Sequence, residues 1–152
     1  NYSRVHCSKT VMTRFAIRIF SKVHGFIYRV TRGRLGKQLG SIPMLLLTTT
    51  GRKSGKKRTV PLVGIPHDSG YILVASFGGS PTHPAWFLNI RENSSISIRV
   101  GSIVTSAEAS IIYTSDSDYE EMWKKSVAMY AGYDDYKQNS PRDIPIVLVT
   151  PQ

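Results

Sequence analysis

Apolar and polar positions divide this chain into one long helical stretch followed by short strands. Over residues 10–31 the apolar side chains recur at helical spacing and fall on one half of the wheel, which predicts an amphipathic helix. From residue 43 the pattern changes to short β-rich segments separated by turns. The predicted strands are 43–49, 58–66, 70–77, 95–100, 102–113 and 144–150. Their spacing favours antiparallel strands in a barrel over alternating strand–helix units.

Two more helices are predicted among these strands. Pro84 begins a short one over residues 84–92. The other starts near Ser115, because Ser117 and Glu120 have the spacing of a capping box. We therefore expect one mainly β domain with helices (α+β) over residues 1–152, in which 10–31 is the N-terminal helix and 42–152 the barrel.

Charge is distributed unevenly along the sequence. The net charge is +10, yet residues 1–67 hold fourteen Lys/Arg and no Asp or Glu, whereas residues 68–152 hold six Lys/Arg and ten acids. The first half therefore predicts an electropositive surface, which attracts phosphates, oligocarboxylates, nucleic acid or anionic lipid without choosing between them.

Cysteine and histidine usage argues against a disulfide scaffold and against a metal site. Cys7 is the single cysteine, and the four histidines are scattered without zinc-ligand spacing. The apolar runs are too short to cross a bilayer, and basic residues throughout 1–30 are unlike a secretory signal. We expect a cytoplasmic protein without a metal ion.

The basic edge of segment 10–31 permits two interpretations. The segment can cap the barrel with its cations in water, or it can lie on an anionic membrane surface with its apolar face in the lipid. The second interpretation predicts peripheral contact with the inner face of the cell membrane.

A loop with two glycines and five cations is the most distinctive chemical feature. Arg52, Lys53, Lys56, Lys57 and Arg58 lie between two apolar runs, a pattern typical of a site for a phosphate-bearing cofactor. The glycine spacing does not match a P-loop, and the sequence contains neither a dinucleotide fingerprint nor a nucleophile elbow.

Two aromatic segments complete the candidate site. Residues 75–89 combine a Gly-Gly turn, a polar loop and a Trp-bearing helix, which predicts a wall for a flat ring system. Tyr130, Tyr133 and Tyr136 repeat every three residues. Such spacing can be a core stripe, but the glycine and aspartates among them favour a pocket mouth.

Together these segments resemble the coenzyme F420 (deazaflavin)-dependent nitroreductase family, in particular its quinone and nitroimidazole reductase branch. The resemblance rests on Leu-Thr-Thr-Thr-Gly-Arg-Lys-Ser-Gly at 47–55, on Pro-Ala-Trp-Phe-Leu-Asn at 84–89 and on the tyrosines after Met129. It implies an antiparallel split β-barrel of the FMN-binding split-barrel type. It also implies an enzyme in which reduced F420 (F420H2) transfers a hydride to a quinone, enone or nitroaromatic acceptor.

By this resemblance, Arg52, Lys53, Ser54 and Arg58 would bind the anionic tail of the cofactor. Ser76, Tyr130, Tyr133 and Tyr136 would orient the acceptor. The deazaflavin ring would be lined, largely through backbone groups, by three segments and one of the tyrosines: Thr59, Val60, Pro61, Leu62, Val63, Gly64; Val74, Ala75, Ser76, Phe77; Ala85, Trp86, Phe87, Leu88, Asn89; and Tyr133.

Three positions depart from residues that the family can carry. Val63 stands where an aromatic residue can occur, Phe77 where a lysine can occur, and Ala85 where a methionine can occur. These departures imply a roomier, less polar pocket that favours quinones or enones over bulky nitroimidazoles.

Three other functions remain open on the sequence. One is an FMN-dependent oxidoreductase on the same barrel, although five cations exceed what a single phosphate requires. The second is a non-enzymatic deazaflavin carrier. The third is a basic module for anionic lipid or nucleic acid, but residues 50–59 contain no aromatic side chain on which a base could stack.

Overall fold

The computed structural model describes residues 38–39 and 42–152, and the helix predicted over 10–31 lies outside them. In this part of the chain the elements, in order, are β1 Gln38–Leu39, β2 Ile42–Thr50, β3 Lys57–Val63, β4 Ile65–His67, β5 Gly70–Val74, a 3-10 turn Phe77–Gly79, α1 Ala85–Glu92, β6 Ser95–Val100, β7 Ile103–Ile112, α2 Tyr119–Met129, α3 Gly132–Asn139 and β8 Ile146–Pro151.

The strands form one curled antiparallel sheet in the order β1-β2-β6-β7-β8-β5-β4, and β3 pairs with β2. Only Gly64 separates β3, which pairs with β2, from β4, which pairs with β5 at the other end of the sheet. This continuous segment therefore links the two ends of the sheet and produces the split-barrel shape expected from the sequence. A Cβ at Gly64 would lie 2.4 Å from Leu45 Cδ2, so the corner needs a residue without a side chain.

The two faces of the sheet pack into two hydrophobic clusters. On β5, Leu73 belongs to the first cluster, inside the barrel, whereas Ile72 and Val74 belong to the second. This alternation follows from the two-residue period of a strand. Trp86, Phe87 and Ile90 of α1 fill the first cluster, and α2 and α3 cover the second. The helices thus hold the connections between strands in place.

Most predicted strands are confirmed to within one or two residues, with two differences. The predicted strand 58–66 is divided at Gly64, and the strand predicted over 70–77 ends at Val74. The second difference has a local cause. Phe77, Gly78 and Gly79 have φ of 47°, 63° and 75°, a left-handed run that an extended strand cannot contain.

The helix predicted over 84–92 is confirmed, but the predicted start of α2 is wrong. The helix begins at Tyr119, and its N-terminus carries no side-chain capping bond. The Ser117 hydroxyl instead donates to the Asp118 carboxylate. The helix Gly132–Asn139 was not predicted as a separate element.

None of the helices in the described ranges is long and apolar enough to cross a membrane. Within the same ranges, no group of three or more His, Cys, Asp or Glu side chains could hold a metal ion.

Candidate functional site

The basic loop between β2 and β3 has a defined backbone structure. Gly51 N–H donates to the Lys56 carbonyl at 2.8 Å, and Gly55 N–H donates to the Gly51 carbonyl at 2.7 Å. These bonds close the loop, and every residue from Arg52 to Arg58 is exposed. The loop therefore presents its cations to solvent on a fixed backbone, as an anion site requires.

Asn89 of α1 anchors this loop. Its Oδ1 accepts hydrogen bonds from Arg52 N at 3.1 Å and from Arg52 Nη1 at 3.3 Å, and its Nδ2 donates to Thr49 Oγ1 at 3.0 Å. Asn89 and Thr49 are both buried. The side-chain amide of Asn89 thus links α1 to β2 and to the loop. This role was not predicted from the sequence.

The predicted ring-lining residues of β3 alternate between the two faces of the barrel. Val60 and Leu62 pack against the first cluster and Val63 against the second. Thr59 shares a 2.8 Å hydrogen bond between its hydroxyl and that of Thr48, and Pro61 is half-buried. Cofactor contact by this strand, Gly64 included, stays a prediction.

Residues 74–77 lead out of β5 into the turn. Val74, Ala75 and Ser76 are buried, and within the described part of the chain the Ser76 hydroxyl makes no hydrogen bond. The turn then passes close to α3, because a Cβ at Gly79 would lie 3.1 Å from the Tyr136 carbonyl oxygen. The structure therefore brings the predicted serine and the predicted tyrosine segment to the same side of the barrel.

Two of the aromatic residues predicted as part of a ring wall are core residues. Trp86 and Phe87 are 8% and 1% exposed, and their rings meet edge to face with centroids 6.2 Å apart. Their side chains fill the barrel, so only the surface and backbone of α1, including Ala85 and Leu88, remain available to a ligand.

The three tyrosines differ in environment. Tyr130 and Tyr136 are partly buried, and their hydroxyl oxygens are 3.1 Å apart. Tyr133 is only 5% exposed and belongs to the second cluster. Its ring meets Tyr130 edge to face with centroids 5.1 Å apart. The structure thus offers one pair of phenols at the surface, supported by Tyr133 beneath.

Helix α3, which carries Tyr133 and Tyr136, is held against α2 by polar contacts as well as by packing. Trp123 Nε1 donates to Asp134 Oδ1 at 2.9 Å. Lys137 Nζ lies 4.5 Å from the Trp123 ring centroid and 3.7 Å from Glu120 Oε1. Cation–π and hydrogen-bond contacts of this kind fix the position of the helix.

Two side chains near the turn were assigned no role from the sequence. His83 Nδ1 is buried without a hydrogen-bond partner in the described ranges, and the His83 ring packs on Phe87. Burial, together with the charges of Arg142 and Arg91, lowers the pKa of His83. Arg142 donates to carbonyl groups of the turn segment. The contacts of Arg142 with the turn are not visible locally, because the carbonyl groups that it reaches there lie 60 or more residues away in the sequence.

We expect alkaline pH to destabilise the protein through its buried tyrosines. Burial raises the pKa of Tyr119 and Tyr133 above the usual 10, and burial with the Tyr130 hydrogen bond raises the pKa of Tyr136 to about 12. A raised folded-state pKa contributes stability below pH 10 that is lost as the pH rises through the folded-state pKa. The free energy of unfolding, measured in urea, should therefore fall between pH 10 and about 12. Tyr133→Phe should make this fall shallower, and an equally steep fall in that variant would contradict the assignment.

Comparison with known proteins shows the family to which the chain belongs. Residues 20–151 match the model of the family described as F420H(2)-dependent quinone reductase. A Mycobacterium tuberculosis H37Rv protein named as an F420H(2)-dependent quinone reductase is 36% identical over 131 residues, which are 85% of this chain and 88% of that protein. A solved structure titled as an F420-H2 dependent reductase has 38% identity and a TM-score of 0.62, and the match covers 70% of this chain and 93% of that one. Another, titled as a domain-swapped dimer, has 35% identity and a TM-score of 0.66 over 84% of this chain and 96% of that one. The chain therefore belongs to the F420H(2)-dependent quinone reductase family.

Proposed function

We propose that this protein is an F420H2-dependent reductase whose acceptor is a quinone. Family membership supports the cofactor and the acceptor class. The observation that carries the proposal for this chain is the anchored basic loop, which Asn89 joins to α1. Helix α1 follows the turn that begins after Ser76 and passes close to Tyr136.

The loop residues fit the anionic part of F420. The side chains of Lys53, Lys56 and Arg58 are exposed, and none of the described carboxylates forms an ion pair with them. Such cations remain available to a phosphate and an oligoglutamate tail. Arg52, Lys53, Ser54 and Arg58 would hold this tail, while Asn89 keeps Arg52 and the loop in position.

The ring would lie against β3, the end of β5 and the exposed side of α1. When bound, reduced F420 supplies a hydride to an electrophilic acceptor. The protein's task is then to align the acceptor, exclude water and manage charge, which requires no nucleophilic side chain.

Ser76, Tyr130 and Tyr136 would serve the acceptor oxygen. A quinone that gains a hydride carries negative charge on that oxygen, and a nearby hydroxyl stabilises this charge. Because the pKa of Tyr136 is about 12, its phenol is protonated at neutral pH and can donate a hydrogen bond. Its partner Tyr130 fixes the direction of that hydroxyl from 3.1 Å away.

The same proposal includes the class of acceptor molecule and the location of the protein in the cell. Val63, Phe77 and Ala85 are smaller or less polar than the residues that the family can carry at these positions, which supports quinones and enones over bulky nitroimidazoles as acceptors. Contact of residues 10–31 with an anionic membrane surface would bring a cytoplasmic enzyme close to lipid-soluble quinones.

The test is a fluorescence titration of the full chain with oxidised F420, with FMN in parallel, followed by turnover of F420H2 with menadione. Saturable F420 binding and menadione-dependent reoxidation are expected. Tighter binding of FMN would replace the cofactor assignment with a flavin. If the protein binds neither F420 nor FMN, the proposed enzymatic function is contradicted, and anionic lipids and nucleic acids become the ligands to test.

A further inference from the structure

We propose that Arg142 is a positioning residue that sets the shape of the acceptor side of the site. Arg142 lies in the connection between α3 and β8. Its Nε donates to the Ser80 carbonyl at 3.0 Å, and its Nη2 lies 3.1 Å from the carbonyls of Ala75 and Ser76. The same Nη2 lies 3.2 Å from the Thr82 carbonyl. One guanidinium group thus contacts backbone carbonyls at both ends of segment 75–82, which we call the turn segment.

Only an arginine can make this set of contacts. Its planar guanidinium offers five N–H donors in fixed directions, whereas a lysine ammonium offers a single donor centre. The remaining nitrogen, Nη1, donates to the Asp143 carbonyl at 3.0 Å, so the whole group faces backbone oxygens. None of the ion pairs within the described ranges includes Arg142. Its charge is therefore committed to carbonyl dipoles, unlike the exposed cations of the loop.

The backbone of Arg142 is itself held in place. Ser140 Oγ donates to the Arg142 carbonyl at 2.7 Å and accepts from Arg142 N at 3.2 Å. Ser140 directly follows α3, the helix that carries Tyr136. Arg142 and its bonds to residues 75–82, which we call the Arg142 clamp, therefore connect the end of α3 to the segment that carries Ser76. Between these two parts, Gly79 packs closely against the backbone of Tyr136.

The clamp and the cofactor loop depend on different contacts. Arg142 reaches residues 75, 76, 80, 82 and 143, whereas the loop is anchored by Asn89. Loss of the guanidinium should consequently move Ser76 relative to the tyrosine pair and leave the binding of the anionic tail nearly intact. This separation distinguishes a positioning role from general support of the fold.

The experiment compares Arg142→Ala and Arg142→Lys with the wild type and with Lys124→Ala, which removes an exposed cation from α2 and should leave the kinetics and the F420 affinity unchanged. We expect kcat/KM for menadione to fall roughly 100-fold in both Arg142 variants, as a displacement near 1 Å can cause. The Kd for oxidised F420 should stay within about threefold, or 0.7 kcal/mol. Added guanidinium should restore part of the activity of Arg142→Ala, and ethylammonium should not.

Hydrogen exchange supplies a readout that does not depend on turnover, since this inference rests on the proposed function for its kinetic part. Amides of residues 75–82 should lose protection in Arg142→Ala, while those of residues 51–56 should not. Failure of the wild type to reoxidise F420H2 with menadione would reject the function but leave this exchange result to decide the clamp. Full activity in Arg142→Lys, an equal loss of F420 affinity, or unchanged exchange over 75–82 would each overturn the clamp.

Discussion

Replacing Asn89 with leucine is expected to raise the Kd for F420 about tenfold or more, which corresponds to roughly 1.4 kcal/mol. Leucine has a similar volume but cannot accept the two bonds from Arg52 or donate to Thr49. The loop would lose its connection to α1, and the buried Thr49 hydroxyl would lose its partner. A buried group left without its hydrogen bond costs about 1–3 kcal/mol, so urea unfolding should also shift by that amount.

Two companion variants separate the anchor from general damage to α1. Asn89→Gln keeps an amide that can accept from Arg52 and donate to Thr49, and it adds no negative charge beside the anion site, so its Kd should stay within about threefold of the wild type. Asn93→Leu makes the same chemical change at an exposed position after the same helix, where the side-chain oxygen accepts a hydrogen bond from Ser95 N. Equal loss of affinity in Asn89→Leu and Asn93→Leu would show that the anchor does not matter.

Removal of either surface phenol should lower kcat/KM for menadione by about 100-fold, the typical loss when one donor to a developing oxyanion is deleted. Tyr130→Phe and Tyr136→Phe each break the 3.1 Å contact between the hydroxyls. Because the two phenols act as one pair, the double variant should be little worse than either single variant. Steady-state kinetics with F420H2 and menadione measure the effect, and the F420 titration should be unchanged.

Tyr113→Phe is the matched control, since Tyr113 is 47% exposed and its side chain belongs to neither hydrophobic cluster. Its kcat/KM should equal that of the wild type. A wild-type kcat/KM in Tyr136→Phe would show that the Tyr136 hydroxyl takes no part in the reaction. Ser76 or solvent would then donate the hydrogen bond to the acceptor oxygen.

Strand positions were predictable from the sequence because they depend on local patterns of apolar residues and on the turns between them. The predicted strand 43–49 contains four consecutive apolar residues from Met44 to Leu47, and in β2 all four are buried. The division at Gly64 was not predictable, because it arises from the approach of Leu45 in a neighbouring strand. The start of α2 was missed for a different reason. Asp116 accepts from Tyr113 N at 2.7 Å and holds a turn where the capping box suggested a helix.

The candidate site divides in the same way. The basic loop and the tyrosines could be found because unusual composition marks them. The anchoring roles of Asn89 and Arg142 could not be found, since Asn89 bonds to residues 37 and 40 positions away and the turn carbonyls that Arg142 reaches lie 60 or more positions away. The surroundings of the aromatic side chains were harder to predict. Trp86 and Tyr133 were predicted to line the ring, and the structure buries their side chains in the two clusters, while their contact with the cofactor stays a prediction.

The basic loop continues directly into β3 and Gly64, and this continuity affects the lifetime of the protein in the cell. The strand that joins the two ends of the sheet begins at Lys57, within the loop that would bind F420. A ligand that binds only the folded state raises the free energy of unfolding in proportion to the logarithm of its concentration over Kd. Occupancy of the loop would therefore keep the barrel closed and resistant to proteases. Cells short of F420 would degrade this enzyme faster, so that its abundance would follow the supply of the cofactor.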